Sequence, residues 1–202
     1  MSATRTLAAT IVALAAGLAV TWTATDGLSA FTLESARRIA ALAHPQPIPA
    51  LALRFADGHV GPLADVPARW LLVDFIYTRC ESLCLVQGSI DHRVAELLAP
   101  DIAQGQVALV SISFDPRDDP AALRAFLARD GPMLPGRDAA VPVDARDLPR
   151  WLVAFGVVVI DDGIGGYVHN EAAALVDPDR RLVELVDSKD PAAIAAAVRA
   201  RW

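Results

Sequence analysis

The chain has 202 residues, with 24 acidic and 18 basic side chains, a formal net charge of −6 and a pI near 5.1. That length fits one domain with appendages and is enough to bury roughly 70% of the unfolded surface. Two cysteines are too few for a disulfide scaffold, and no Lys/Arg cluster interleaves with aromatics, so nucleic-acid binding is excluded as a working reading.

After Arg5 comes LAATIVALAAGLAVTWTA, residues 7–24, uncharged throughout. Eighteen helical residues at 1.5 Å each span ~27 Å, close to the ~30 Å hydrocarbon core of a bilayer. The run is longer than the apolar part of a usual signal peptide. No A-x-A cleavage pattern follows it, because Trp22 and Leu28 stand three residues before the candidate junctions. Trp22 also suits a membrane interface. An uncleaved anchor is therefore preferred to a cleaved signal, with a buried helix of a soluble protein as the bland alternative. Arg5 and the pair Arg37–Arg38 flank the run on opposite sides, so charge alone does not orient it. Either leading reading exports residues 30–202.

Residues 31–43, FTLESARRIAALA, carry an amphipathic helical pattern with Thr32 as N-cap. The prolines of HPQPIPA then predict an extended linker. The expected organisation is thus 1–30 as anchor or signal, 31–49 as helix and linker, and 50–202 as the compact domain. LALRFADGHVGPL reads as two short strands around Asp57–Gly58. RWLLVDFIY, residues 69–77, is a nearly continuous apolar run, as expected of a buried central strand, with Asp74 its one interior charge. From Leu83 to Leu98 the apolar residues recur at helical spacing. QVALVSISF, residues 106–114, is a second buried strand. Asp119 caps a helix that has Pro120 first and ends at Gly131–Pro132. DLPRWLVAFG is another helix, stopped by Gly156. The Gly-rich hairpin-like loop DDGIGGYV follows VVVI, then two strands surround Asp177–Pro178–Asp179, and a helix capped by Asp190 closes the chain. Strands alternating with helices predict an α/β protein with parallel strands and helices on both faces. The terminal hairpin and helix match the second half of a thioredoxin-like fold, here with an N-terminal hairpin extension.

Cys80 and Cys84 lie where the strand 69–77 gives way to a helix. In a helix, residues four apart share a face, and a helix N-terminus lowers thiol pKa values, so the pair predicts accessible thiolates. Thiolates are nucleophiles and soft metal ligands, and two of them leave a metal short of donors. Four histidines compete to complete the set. His44 falls in the linker and His59 in the first hairpin, both surface positions. His92 is two helical turns beyond Cys84, ~12 Å away. His169 follows the Gly-rich loop, which can reach back to the end of the strand bearing Cys80. A lone histidine is more often structural, so its placement alone leaves the question open.

FIYTRCESLC resembles the F-x-Y-T-x-C-P-x-x-C-P signature of the Sco/SenC family, thioredoxin-fold copper proteins that serve cytochrome c oxidase assembly. VSISFDPRDDPAALRAFL is similar to the family's S-x-D-P-x-R-D-T-P-x-x-L segment, one residue shorter between Pro116 and Arg117. His169 comes 85 residues after Cys84, close to the family's spacing. HNEAAALVDPD keeps the distance from that histidine to the Pro-Asp turn, and the likeness covers roughly residues 50–200. The resemblance implies a site of Cys80, Cys84 and His169, a donor set that suits Cu(I) in trigonal geometry and Cu(II) with an added ligand. Zinc would want a fourth ligand that the sequence does not place. Both family prolines after the cysteines are replaced, by Glu81 and Leu85, and Val168 stands where an acidic residue usually precedes the histidine. Asp161 or Asp162 is a candidate oxygen ligand, though a solvated loop charge is the ordinary reading.

Two functions follow as expectations. The first is a copper-binding assembly factor for the binuclear copper site of an oxidase. Its partner would be the copper-bearing oxidase subunit or another copper or thiol carrier. It would be anchored in the inner membrane with its domain on the periplasmic side, or else secreted there. The second is a membrane-anchored thiol–disulfide oxidoreductase using Cys80 and Cys84 as a redox dithiol, for which His169 is dispensable. On either reading residues 1–30 are expected to be separable. Deleting them should leave a soluble, folded domain by circular dichroism and gel filtration, whereas aggregation of the shortened chain would assign the apolar run to the core.

Overall fold

The computed structural model describes residues 3–25, 27–79, 83–170, 172–186 and 189–202, without the side chains at positions 33 and 83–87. The apolar run forms helix α1 (Ala3–Ala24), none of whose side chains is buried; it is long and apolar enough to cross a membrane. Helix α2 (Leu33–Ala43) starts from Thr32, whose hydroxyl accepts the Ser35 N–H while the Ser35 hydroxyl takes the Thr32 N–H. This closes two donors that a helix start otherwise leaves open. Strand β1 (Gln46–Pro47) then pairs with the far end of the chain, so the proline segment contains a short edge strand as well as extended chain. The hairpin around Asp57–Gly58 is formed by β2 (Ala52–Phe55) and β3 (Val60–Pro62).

Next come the two apolar runs and their crossover: β4 (Trp70–Ile76), α3 (Leu83–Leu97), the short α4 (Ala99–Ala103) and β5 (Val107–Ser113). Every residue of β5, and all of β4 after Trp70, is buried. Helix α5 (Pro120–Ala128) is capped by Asp119, as its sequence predicts. Strand β6 (Arg137–Pro142) is not evident in the sequence, because RDAAVP carries two charges and ends on proline. It forms because Leu109 to Ile112 of β5 offer a parallel partner and Phe55 of β2 docks on its other side. Helix α6 (Leu148–Phe155) ends at Gly156, which takes the left-handed conformation (φ 62°). The remaining elements are β7 (Val159–Asp161), β8 (Tyr167–His169), β9 (Ala173–Val176), β10 (Arg181–Val186) and α7 (Pro191–Arg199).

Eight strands make one sheet in the order β1-β10-β9-β4-β5-β6-β2-β3. The central β4, β5 and β6 run parallel, and the flanking strands are antiparallel. β2 and β3 thus extend the main sheet. Side chains alternate along β4, as a pleated strand requires. Leu71, Val73 and Phe75 face Trp151 and Phe155 of α6 together with Ala41 of α2. Leu72 faces Ile90 and Val94 of α3 and Ile194 and Val198 of α7, while Ile76 meets Leu123 and Phe126 of α5. Each such large side chain taken from water contributes about 2–3 kcal/mol. Burial on both faces is why these strands read as unbroken apolar runs. β7 and β8 stand apart as a two-stranded ribbon, and the sheet holds that ribbon over the end of β4.

Candidate metal centre

β4 gives way to Tyr77, Thr78 and Arg79, the residues just before Cys80. Their placement depends on a loop 40 residues away. The Asp118 side chain is fully buried. It accepts the Thr78 N–H on Oδ2 at 2.8 Å, the Thr78 hydroxyl on Oδ1 at 2.6 Å and the Ser113 hydroxyl on Oδ2 at 2.6 Å. One carboxylate therefore ties the exit of β4 to the exit of β5 through three hydrogen bonds, each strengthened by its charge. Asp115 shapes the same loop. It accepts the Arg117 N–H at 2.9 Å and the Arg117 guanidinium through both oxygens, and Arg79 Nη2 lies 3.2 Å from its Oδ2. Burial alone would push the Asp115 carboxyl up, but the Arg117 bonds and the Arg79 charge hold it below the ordinary carboxylate value.

His169 enters from β8. Asn170, next to it, fastens the ribbon: its Oδ1 accepts the Val158 N–H at 2.7 Å, and its Nδ2 donates to the Gly156 carbonyl at 3.1 Å and to Glu34 of α2 at 3.4 Å. Arg37 of α2 donates to the Phe155 and Gly156 carbonyls, both at 2.9 Å. A Cβ on Gly156 would lie 2.6 Å from Arg37 Cδ, so this corner needs glycine for space as well as for φ. On the inner side of the ribbon, the rings of Tyr167 and His169 pack on Tyr77 and Phe114. The His169 ring centroid lies 5.0 Å from Phe114 and 6.4 Å from Tyr77, both edge-on. The Tyr77 hydroxyl donates to the Tyr167 carbonyl at 3.3 Å. Arg117 reaches the Gly165 carbonyl at 3.2 Å and sits 6.0 Å from the Tyr167 ring centroid. His169 Nδ1 is 3.2 Å from the Asn170 carbonyl. A carbonyl only accepts, so in this contact Nδ1 is the donor.

Of the predicted site, the structure brings His169 against Tyr77, three residues before Cys80. Cys80 itself lies outside the described residues. Cys84 is the second residue of α3, and its side chain likewise lies outside the described residues. Among the described residues no three His, Cys, Asp or Glu side chains gather into a metal-sized cluster. Asp161 and Asp162 are spent on the loop: Asp161 accepts the Gly163 N–H, and Asp162 accepts those of Ile164 and Gly166. His44 and His59 are exposed, the latter stacked on Phe55 and paired with Asp57. His92 is buried against Gly131. Asp118 and Asn170 are the positioning residues that sequence reasoning missed. Asn170 adjoins the histidine, and Asp118 sits inside the DPRDD element, yet only the fold reveals what each holds.

The SCO1/SenC family model matches residues 51–202. No match is found among curated proteins. Solved structures with the same fold include a SCO1/SenC family lipoprotein from Bacillus anthracis at 17% identity, covering 79% of this chain and 98% of that one with a TM-score of 0.68. Bradyrhizobium japonicum ScoI with copper bound aligns at 22% identity over 77% and 99% of the two chains, with a TM-score of 0.65. BsSco, described as a Sco-family cytochrome c oxidase assembly protein with a disulfide switch, aligns at 21% identity over 77% and 93%, with a TM-score of 0.64.

Asp118→Asn replaces one acceptor oxygen by a donor facing the Thr78 or Ser113 donors. It should lower stability by on the order of 2 kcal/mol, seen as a reduced denaturant midpoint at unchanged m-value. A midpoint equal to that of the unsubstituted chain would mean that the carboxylate does not fasten this loop.

Proposed function

The chain belongs to the SCO1/SenC family, and on that premise we propose that it is a copper-binding assembly factor for the binuclear copper site of a cytochrome c oxidase. Cys80, Cys84 and His169 hold the metal. The observation that carries this reading is the seating of His169. Its Nδ1 donates to the Asn170 carbonyl, and its ring is wedged against Phe114 and Tyr77 beside the end of the strand that leads to Cys80. A dithiol exchanger has no need of an imidazole fixed in this way. Two thiolates and an imidazole form a soft set suited to Cu(I), and a hydrogen-bonded Nδ1–H raises the basicity of the ligating nitrogen. Bradyrhizobium ScoI was solved with copper bound. The copper is cargo, received from a carrier and passed to the copper-bearing oxidase subunit. Helix α1 serves as the anchor that keeps the domain at the outer face of the inner membrane, or as a signal that delivers it there.

Thiol–disulfide exchange by Cys80 and Cys84 is the second reading, favoured by the position of Cys84 at a helix start and by the disulfide switch described for BsSco. Anaerobic Cu(I) titration of the reduced full chain against a calibrated chelator separates the two. One equivalent should bind, Cys80→Ser and Cys84→Ser should each abolish tight binding, and His169→Ala should weaken it by about tenfold or more while sparing dithiol redox activity. Unchanged copper affinity in His169→Ala would remove the imidazole from the site and leave exchange chemistry as the function.

A further inference from the structure

Asp74 is the one charge inside β4, and it stands opposite Ser111 in the β4–β5 register. Asp74 is 8% exposed, and Asp91 of α3 is 5% exposed. Asp74 lies on the same face of β4 as Leu72, which meets Ile90 and Val94 of α3, and this places its carboxyl beside Ser111 and Asp91. Two ionised carboxylates cannot bond to each other, because each only accepts. With both ionised, Asp74 Oδ2 meets no donor, and two like charges would share a site that water cannot reach. One proton held between them supplies the donor and leaves a single negative charge. Arg137 of β6, itself buried, stands ready to balance it. The guanidinium donates to the Leu127 and Gly88 carbonyls at 3.0 and 3.2 Å and lies 5.6 Å from the Phe126 ring centroid, so it acts on the pair through space.

We propose that Asp74 and Asp91 form a shared-proton clasp between the strand leading to Cys80 and the helix carrying Cys84, and that loss of this proton loosens α3 from the sheet. Cys84, Gly88 and Asp91 fall at i, i+4 and i+7, one stripe of α3. At Gly88 that stripe comes so close to its neighbours that a Cβ would lie 2.7 Å from the Arg129 guanidinium. The clasp therefore lies on the same stripe of α3 as Cys84, about two turns further along the helix. Other charged groups around it are Arg129 and Asp130 at the end of α5, the latter accepting the Ser89 hydroxyl at 2.8 Å, and His92 of α3, 3.8 Å from Glu96. Burial raises the Asp74 pKa above the ordinary value against smaller pulls from Ser111, Asp91 and Arg137. A raised acid contributes stability that is complete below the unfolded carboxyl value and is lost as pH climbs through the folded one. The device thus opens in base.

The clasp needs neither thiol nor metal, so its test is independent of the copper reading. In the full chain carrying Cys80→Ser and Cys84→Ser, the thermal midpoint should fall between about pH 5 and about pH 9, and Asp74→Asn or Asp91→Asn should remove about half or more of that fall. The parent should also show the infrared C=O band of a protonated carboxyl at about pH 7, titrating in step with the midpoint. That measurement needs no substitution, and so it stands even where an Asn variant fails to fold. A pH slope unchanged by either Asn substitution, or absence of the band, overturns the clasp.

Discussion

The site depends first on one buried carboxylate. Asp118 collects the Thr78 amide, the Thr78 hydroxyl and the Ser113 hydroxyl, and so joins the ends of two adjacent parallel strands. Parallel strands leave their exits side by side but do not fix the loops that follow, and in this chain a charge-assisted network does so. The cost of burying Asp118 is offset because each of its donors would itself be costly to leave unmatched. Asp115, just as buried, pairs with two half-exposed arginines, and solvent at their guanidinium groups screens that exchange.

The second constraint is aromatic. Tyr77 and Phe114, successive to the two central strands, present ring edges and faces on which the β7–β8 ribbon packs through Tyr167 and His169. A two-stranded ribbon has little stability of its own. This one gains order by stacking on the sheet and through the Asn170 bonds to Val158, Gly156 and Glu34. The imidazole is thus oriented by elements spread across most of the chain.

Much of this was legible in the sequence, for identifiable reasons. The two apolar runs could only be strands buried on both faces, and Thr32, Asp119, Asp190 and Gly156 mark helix ends through short-range chemistry that operates wherever the segment sits. β6 escaped because its pairing, not its composition, makes it a strand: Arg137 is buried only because the carbonyls of Leu127 and Gly88 receive its guanidinium. At the candidate site, Cys84 and His169 were singled out by residue type and spacing. The hold of Asp118 on Thr78 spans 40 positions, and no local pattern announces a contact at that separation. The pairing of Asp74 with Asp91 was hidden likewise; the sequence marked Asp74 as an oddity without saying what answered it.

Helix α2 lies between the apolar N-terminal helix and the ribbon, and it grips both the end of α6 and Asn170 through Arg37 and Glu34. It works as a lever arm with a short handle. Any tilt of α2 would pass through Glu34 and Arg37 to the residue beside the imidazole, so the posture of this helix and the aim of His169 are parts of one linkage.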